Sequence, residues 1–272
     1  MNNRTITYLT KILSTTIEFL ANILLPKEKR VKILEALGPA GLFENIPRAE
    51  NFDLSTAKNQ QGKSETNAIK AIFNYKTALC RQAIWEIKYR ANKKLIRDFS
   101  LLLYEYILEE ISDLKTFNNF REIILLPIPS TKAREREKGF NQCVLITREL
   151  IKIDKERNGN NFNLLENFLI KKTNTEHQAR VSNRKKRLAN LKNTFSINEN
   201  IFRNYSLRLT EYLIAPGTIS KNIQPGFGKL SDFSFIIIDD VITTGATMNE
   251  AFRILKSIGI SRRKIRGYAL AH

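Results

Sequence analysis

The chain has few of the cysteine and histidine residues that stabilise a fold through disulfides or bound metal ions. Its 272 residues include two cysteines, Cys80 and Cys143, and two histidines. Two cysteines cannot form a disulfide framework and are typical of a reducing compartment, so we expect a cytoplasmic protein. No CxxC or HxxxH pair is present, and we therefore expect no zinc site.

Long apolar segments are also scarce. Residues 5–25 most resemble a membrane segment, but Lys11, Glu18 and Asn22 interrupt them and no small-residue cleavage site follows. This pattern matches neither a membrane span nor a signal peptide. The apolar residues recur near helical spacing, which predicts an amphipathic helix packed on the protein's own core. Attachment to a membrane surface is the weaker alternative.

Acidic residues are too few to balance the basic ones. Aspartate and glutamate number 27 against 45 lysines and arginines, which gives a formal net charge of +18. Such a surplus favours polyanionic partners, either nucleic acid or a phosphate-rich substrate. No recognised nucleic-acid-binding motif accompanies the charge, so a solvated basic surface is the alternative.

What the chain does contain is an alternation of helix and strand patterns. Helices are predicted at about 75–89, 94–108, 141–153, 182–191 and 247–258, and strands at 123–126, 164–171, 233–238 and 265–270. This alternation predicts an α/β fold with a parallel, doubly wound sheet flanked by helices. Trp85 and Tyr89 fall on one face of the first of these helices, where we expect them to be core residues; a platform for stacking a base is the weaker alternative.

The polar stretch from Pro39 to Thr66 divides the chain. It contains Gly41, Pro47 and Gly62 among Asn, Gln and Ser, a composition typical of a linker. We therefore predict an N-terminal helical extension and linker at 1–66 and a main domain at 67–272. Within that domain, the Pro- and Gly-containing residues 198–229 form an inserted loop.

One uninterrupted segment, Phe235 to Thr247, carries the strongest chemical signal. The apolar run FIII indicates a strand buried on both faces, and the acids Asp239 and Asp240 follow it at once. Two adjacent carboxylates can accept hydrogen bonds from vicinal sugar hydroxyls. The turn TTGAT then places backbone N–H groups and hydroxyls at the start of a helix, an arrangement that binds anions.

This segment resembles the phosphoribosyl pyrophosphate (PRPP) motif of type I phosphoribosyltransferases. The resemblance implies that Asp239 and Asp240 hold the ribose hydroxyls and serve as the catalytic carboxylates. It also implies that the loop wraps the 5′-phosphate, with Gly245 allowing close backbone approach. The implied phosphate-binding residues are Thr243, Thr244, Gly245, Ala246 and Thr247.

A second segment, LLPIPSTKAREREKGFNQ at 125–142, follows the first strong strand pattern. In type I phosphoribosyltransferases a pyrophosphate-binding loop occupies this position, and residues 130–133 match it here. By this resemblance Ser130, Thr131, Lys132 and Arg134 bind pyrophosphate together with Mg²⁺.

A third segment, 175–195, is very basic and carries a T-x-x-Q…R-x-x-N…F pattern. With PxP, GFNQ and the less specific IWEIKYR at 84–90, it resembles the ComF-type branch of the phosphoribosyltransferases, the competence protein F family, over about residues 75–272. Gln178, Arg184 and Arg187 then become candidates for a flexible loop over the site. The chain departs from the family pattern in lacking the N-terminal zinc-ribbon cysteines and in having Lys138 where Arg is common.

The resemblance implies an enzyme that binds Mg²⁺–PRPP and transfers the phosphoribosyl group to a nitrogen nucleophile, a base or an amine, with release of pyrophosphate. It also suggests a link to competence and DNA uptake. Two alternatives stay open, a non-catalytic sensor of PRPP or nucleotides and a competence factor that handles single-stranded DNA. Dimers are frequent in this class, so a homodimer is compatible with the sequence.

Overall fold

The computed structural model describes five stretches of the chain: residues 27–49, 69–118, 122–171, 194–203 and 233–272. The predicted helix within 5–25 and the predicted basic helix at 182–191 lie outside the described residues, as does most of the predicted insertion. No helix in the described stretches combines the length and the apolarity needed to cross a bilayer.

Helices and strands alternate along the described chain. The helices are α1 (Lys27–Asn45), α2 (Ala78–Arg90), α3 (Lys93–Asn118), α4 (Lys132–Lys138), α5 (Gln142–Glu156) and α6 (Ala246–Ser257). The strands are β1 (Ile69–Phe73), β2 (Glu122–Pro127), β3 (Phe162–Leu164), β4 (Leu169–Lys171), β5 (Phe195–Ile197), β6 (Phe233–Val241) and β7 (Ile265–Ala271).

Five of these strands form one parallel sheet in the order β1-β7-β6-β2-β3. Strand β6 lies at its centre, with Ile236 opposite Leu125 of β2 and Ile237 opposite Gly267 of β7. Strands β4 and β5 pair antiparallel as a separate small sheet. The predicted α/β fold with a parallel sheet is therefore confirmed.

Strand β6 is apolar throughout because both faces of the sheet are covered. Ile236 and Ile238 belong to the core on one face, whereas Phe235 and Ile237 belong to the core on the other. Successive side chains of a strand point to opposite faces, so such a run is expected in the middle of a parallel sheet.

The first face of the sheet is covered by α1, α2, α3 and α5, and the second by α6 and the paired strands β4 and β5. On the first face, Leu34 of α1 is fully buried with Phe99 of α3, so α1 packs on the core of the main domain. On the second face, Gly267 lets α6 approach closely. A Cβ added there would lie 3.0 Å from the Met248 sulfur.

Two local predictions differ from the structure, and two elements were not predicted. Helix α1 runs to Asn45 and so extends into the predicted linker. It kinks at Gly38 (φ 62°), and Pro39 begins the second half of the helix, where the missing N–H of proline costs least. The predicted strand at 164–171 is two strands in different sheets, because Asn167 (φ 57°) turns the chain between them. Strand β1 and helix α4 were not predicted. Their formation depends on pairing with β7 and on capping rather than on a strong apolar pattern.

Candidate functional site

A cavity of about 360 Å³ opens where β6 ends, beside the chain that follows β2. Its volume is in the range of small-ligand sites, and the carboxyl ends of parallel strands are where such sites usually lie. The lining residues are Tyr75, Lys88, Ile128, Pro129, Ser130, Arg134, Lys138, Phe140, Asn141, Gln142, Cys143, Lys171, Asp239, Asp240, Val241, Thr243 and Thr247.

Asp239 and Asp240, at the end of β6, both line this cavity although both are largely buried. One carboxylate oxygen of Asp239 accepts from the Asp240 backbone N–H at 2.9 Å and from the Cys143 thiol at 3.5 Å. One oxygen of Asp240 accepts from the Val241 N–H at 2.9 Å. These bonds hold the two carboxylates in place and leave further lone pairs for a ligand.

The surroundings of the Asp239 carboxyl disfavour its charged form. Burial, followed by the charge of neighbouring Asp240, raises the pKa of Asp239 well above its usual range. Burial and the two carboxylates also raise the pKa of the Cys143 thiol well above its ordinary value, so this thiol stays protonated. A buried acid pair in a cavity, held at a cost to stability, is typical of a functional site.

Lys88 and Gln142 support Asp240 from two different helices. The Lys88 ammonium lies 3.6 Å from one Asp240 carboxylate oxygen, and the Gln142 amide donates to the same oxygen at 3.2 Å. Burial lowers the pKa of Lys88, but Asp240 and other neighbours outweigh this effect and the pKa is raised overall. Lys88 therefore remains cationic beside the acid pair.

The predicted phosphate loop lies between β6 and α6. Gly245 adopts a left-handed conformation (φ 69°) at the N-cap of α6, which a residue with a Cβ adopts only with strain. The Ala246 N–H donates to the Thr244 hydroxyl at 3.4 Å. Thr243 and Thr247 line the cavity, whereas Thr244, Gly245 and Ala246 shape the turn behind them.

The predicted pyrophosphate loop is shorter than expected, because α4 begins at Lys132. Thr131 is buried and caps this helix, accepting from the Arg134 N–H at 3.3 Å. Ser130 lines the cavity, and its hydroxyl donates to Glu135 at 2.6 Å. Arg134 also lines the cavity, whereas Lys132 is exposed and is not among the lining residues.

Three cavity lysines were not predicted as site residues. Lys88, Lys138 and Lys171 come from α2, α4 and β4, and with Arg134 they make four cations around the cavity. Burial, followed by Arg134, lowers the pKa of Lys171; burial, Lys88 and Arg134 lower that of Lys138. Like charges held this close favour an anionic ligand, which would relieve their repulsion.

The predictions for the flexible loop and for the aromatic residues of α2 remain. Gln178, Arg184 and Arg187 lie outside the described residues. Trp85 and Tyr89 were expected in the core, and this was wrong: α2 buries Cys80, Ala83, Ile84 and Ile87 instead, while Trp85 is 39% and Tyr89 50% exposed. Regular spacing places residues on one face of a helix but does not specify which face is buried.

The fold and the cavity together define an α/β protein with an acid pair and four cations at the carboxyl edge of a parallel sheet. The chain is similar to Competence protein F of Haemophilus influenzae, with 27% identity over 147 residues. The aligned part makes up 54% of this chain and 50% of that protein, so the chain spans about half the length of the curated relative it matches. This similarity supports a relationship to the competence protein F family. No protein-family model matches the chain.

Proposed function

We propose that this protein binds PRPP with Mg²⁺ and transfers the phosphoribosyl group to a nitrogen nucleophile, releasing pyrophosphate. The observation that carries the proposal is the composition of one cavity. Two carboxylates, the hydroxyls of Thr243 and Thr247 before and at the start of α6, and a group of cations all face the same space. PRPP is a sugar diol that carries a phosphate at one end and a diphosphate at the other.

Each part of this ligand has a suitable counterpart. Asp239 and Asp240 would accept hydrogen bonds from the two ribose hydroxyls. The turn from Thr243 to Thr247 would bind the 5′-phosphate, since a helix N-terminus favours negative charge. Arg134, whose charge contributes to the lowered pKa of Lys171, would bind the diphosphate together with Lys171 and the Ser130 hydroxyl.

The donors around the cavity fit magnesium. Asp239 and Asp240 supply carboxylate oxygens, and Ser130 and Thr243 supply hydroxyls, the hard oxygen ligands that Mg²⁺ prefers. Cys143 has ligand atoms within 4.8 Å of those of the acid pair, but its thiol is held in the protonated form. When bound with the diphosphate, magnesium would neutralise part of its charge.

The reaction would be a substitution at ribose C1. The lone pair of the nucleophile's nitrogen forms the new bond to C1 as the C1–O bond to pyrophosphate breaks. Pyrophosphate leaves with that electron pair, and the nitrogen loses its proton to solvent. The residues of this chain would contribute by positioning the sugar and by stabilising charge: the acid pair faces the developing positive charge on the ribose, and the cations face the departing anion.

The similarity to Competence protein F supports a role in competence. We place this role in the cytoplasm as part of the proposal. A second candidate function is the handling of single-stranded DNA during DNA uptake. The net charge of +18 favours this candidate, since cations on a protein surface attract the phosphate backbone of a strand.

A pyrophosphate-release screen tests the enzyme proposal. The protein is incubated with PRPP, Mg²⁺ and a panel of nucleobases and amines, and PRPP binding is measured separately by calorimetry. We expect binding that depends on Asp239 and Asp240 and release with at least one acceptor. Binding without release from any acceptor would favour a sensor. The absence of binding would refute the PRPP assignment, and strand affinity that falls steeply with salt would then support the DNA role.

A further inference from the structure

Helix α2 presents two exposed aromatic side chains, one of which contacts a lysine of the cavity wall. Trp85 and Tyr89 are four residues apart, so they lie on the same side of the helix, with ring centroids 5.4 Å apart and planes inclined by 39°. Both are large side chains with substantial exposure, at 39% and 50%. We call this pair the aromatic platform.

The aromatic platform is continuous with the wall of the cavity. Lys138, which lines the cavity, places its ammonium 4.4 Å from the centre of the Tyr89 ring. Lys88, which precedes Tyr89 in sequence, also lines the cavity and lies 3.6 Å from an Asp240 carboxylate oxygen. At the other end of the platform, the Arg90 guanidinium lies 5.2 Å from the Trp85 ring. Tyr89 therefore contacts one lysine of the cavity wall, and the residue before it in the chain contacts the acid pair.

We infer that the aromatic platform binds the acceptor of the phosphoribosyl group and that this acceptor is a planar nitrogen heterocycle. The inference rests on the proposed function. Heterocycles of the nucleobase type stack on aromatic rings, and the flanking cations hold these two rings in place before the ligand arrives. Half of the Tyr89 side chain is exposed, so ring surface is available beside Lys138.

The charge of the rim selects between the two kinds of nitrogen nucleophile. An aliphatic amine is protonated at neutral pH and would meet Lys88, Arg134 and Lys138 with a like charge. A neutral heterocycle avoids this repulsion and keeps a free lone pair on a ring nitrogen. The same cations that favour the diphosphate thus disfavour an aliphatic amine as its partner.

The tryptophan content of the chain provides a direct test. Trp85 is the single tryptophan among the 272 residues, so quenching of tryptophan fluorescence reports on the platform itself. The full-length protein is titrated with adenine, guanine, cytosine, uracil and ethanolamine in the presence of magnesium pyrophosphate. We expect saturable quenching by at least one base and none by ethanolamine.

Variants of Tyr89 then separate stacking from a structural effect. Loss of one stacked ring in Tyr89→Ala should weaken base affinity about fivefold to 150-fold, while Tyr89→Phe, which keeps the ring, should bind within about twofold of the unmodified protein. Phe43→Ala is the matched control, because Phe43 is a 40% exposed aromatic on α1 whose stacked cation, Arg48, does not line the cavity, whereas Lys138 beside Tyr89 does. It should leave base affinity unchanged.

The outcomes distinguish this inference from the proposed function. Calorimetry with PRPP is run on the unmodified protein and on Tyr89→Ala. If PRPP binds but no base quenches Trp85, or if Tyr89→Ala binds bases normally, the platform assignment is wrong and the proposed function survives. If bases bind through Tyr89 but PRPP does not bind, the proposed function fails, and the acceptor assignment fails with it. Quenching by an oligothymidylate strand but by no free base also overturns the acceptor assignment and favours strand binding.

Discussion

Replacing Asp239 and Asp240 together by asparagine tests the central contact of the proposed site. The substitution keeps the size of both side chains and one carbonyl-type oxygen on each, but it removes both negative charges. The Asp240 and Val241 backbone N–H groups, each 2.9 Å from a carboxylate oxygen, can donate to the amide oxygens instead. We therefore expect the end of β6 to keep its conformation.

The affinity for PRPP should fall by more than about tenfold, or about 1.4 kcal/mol. Hydrogen bonds to a charged partner contribute about 1.5–3 kcal/mol and neutral ones about 0.5–1.5, so two ribose hydroxyls lose about 2 kcal/mol between them. Removal of an acid also reduces its repulsion of the substrate phosphates, and magnesium bound with the diphosphate would offset that repulsion in the unmodified protein.

The difference in the free energy of unfolding between this variant and the unmodified protein should depend on pH, and it should favour the variant at alkaline pH. Because the folded-state pKa of Asp239 is raised, the unmodified protein loses stability as pH rises above the ordinary aspartate range through that folded pKa. Asparagine has no such titration. In urea denaturation, the variant should therefore gain stability over the unmodified protein near pH ~8 and lose that advantage near pH ~4.

Calorimetry with Mg²⁺–PRPP is the decisive assay. The double variant Glu105→Gln, Glu166→Gln is the control, since it changes the net charge equally through surface acids paired with Arg157 and Arg148. We expect this control to bind PRPP as the unmodified protein does. Unchanged PRPP affinity in a folded Asp239→Asn, Asp240→Asn variant would refute the assignment of the ribose to these carboxylates.

Three further substitutions test the rest of the site and its support. Gly245→Val should lower the free energy of unfolding by about 1–3 kcal/mol, because valine is strained at φ 69°. It should also abolish phosphate binding, and a variant that binds PRPP normally by calorimetry would contradict the loop assignment. Lys171→Met should weaken pyrophosphate binding at least about fivefold. Because burial and Arg134 lower the pKa of Lys171, affinity in the unmodified protein should decline with rising pH before the ordinary lysine range is reached. Lys171→Arg should flatten this profile, and an equally steep profile in that variant would exclude Lys171 as its source. Asp154→Ala should lower the free energy of unfolding by about 2–4 kcal/mol in urea denaturation, since it removes the acceptor of the Tyr104 hydroxyl and of the Asn161 amide groups. If Asp154→Ala loses less stability than Asp154→Asn, this network is not the cause.

Elements with a strong local pattern were predictable, and those that depend on distant partners were not. The apolar run of β6 and the periodicity of α5 specify their conformations within a few residues. Strand β1 is short and contains Lys70, and its pairing with β7, almost two hundred residues away in sequence, completes it. Helix α4 has no apolar stripe, and its local signal lies in the residues that cap its two ends, Thr131 and Gly139.

The candidate site divides in the same way. Asp239, Asp240 and Thr243 are adjacent in the chain, so their chemistry was visible in the motif before the fold was known. Lys171 comes from a strand of a different sheet and Lys88 from a helix on the opposite face. No local pattern connects these two lysines with the acids.

The sequence by itself determined that two acids and a glycine-containing turn follow a buried strand, because strand periodicity and turn chemistry act over a few neighbouring residues. Only the tertiary structure decided which cations surround those acids and that Trp85 and Tyr89 are exposed rather than in the core. The physical reason is that packing brings together the carboxyl ends of the parallel strands with α2, α4 and strand β4. The burial and the charge at the cavity therefore come from residues that are far apart in the sequence.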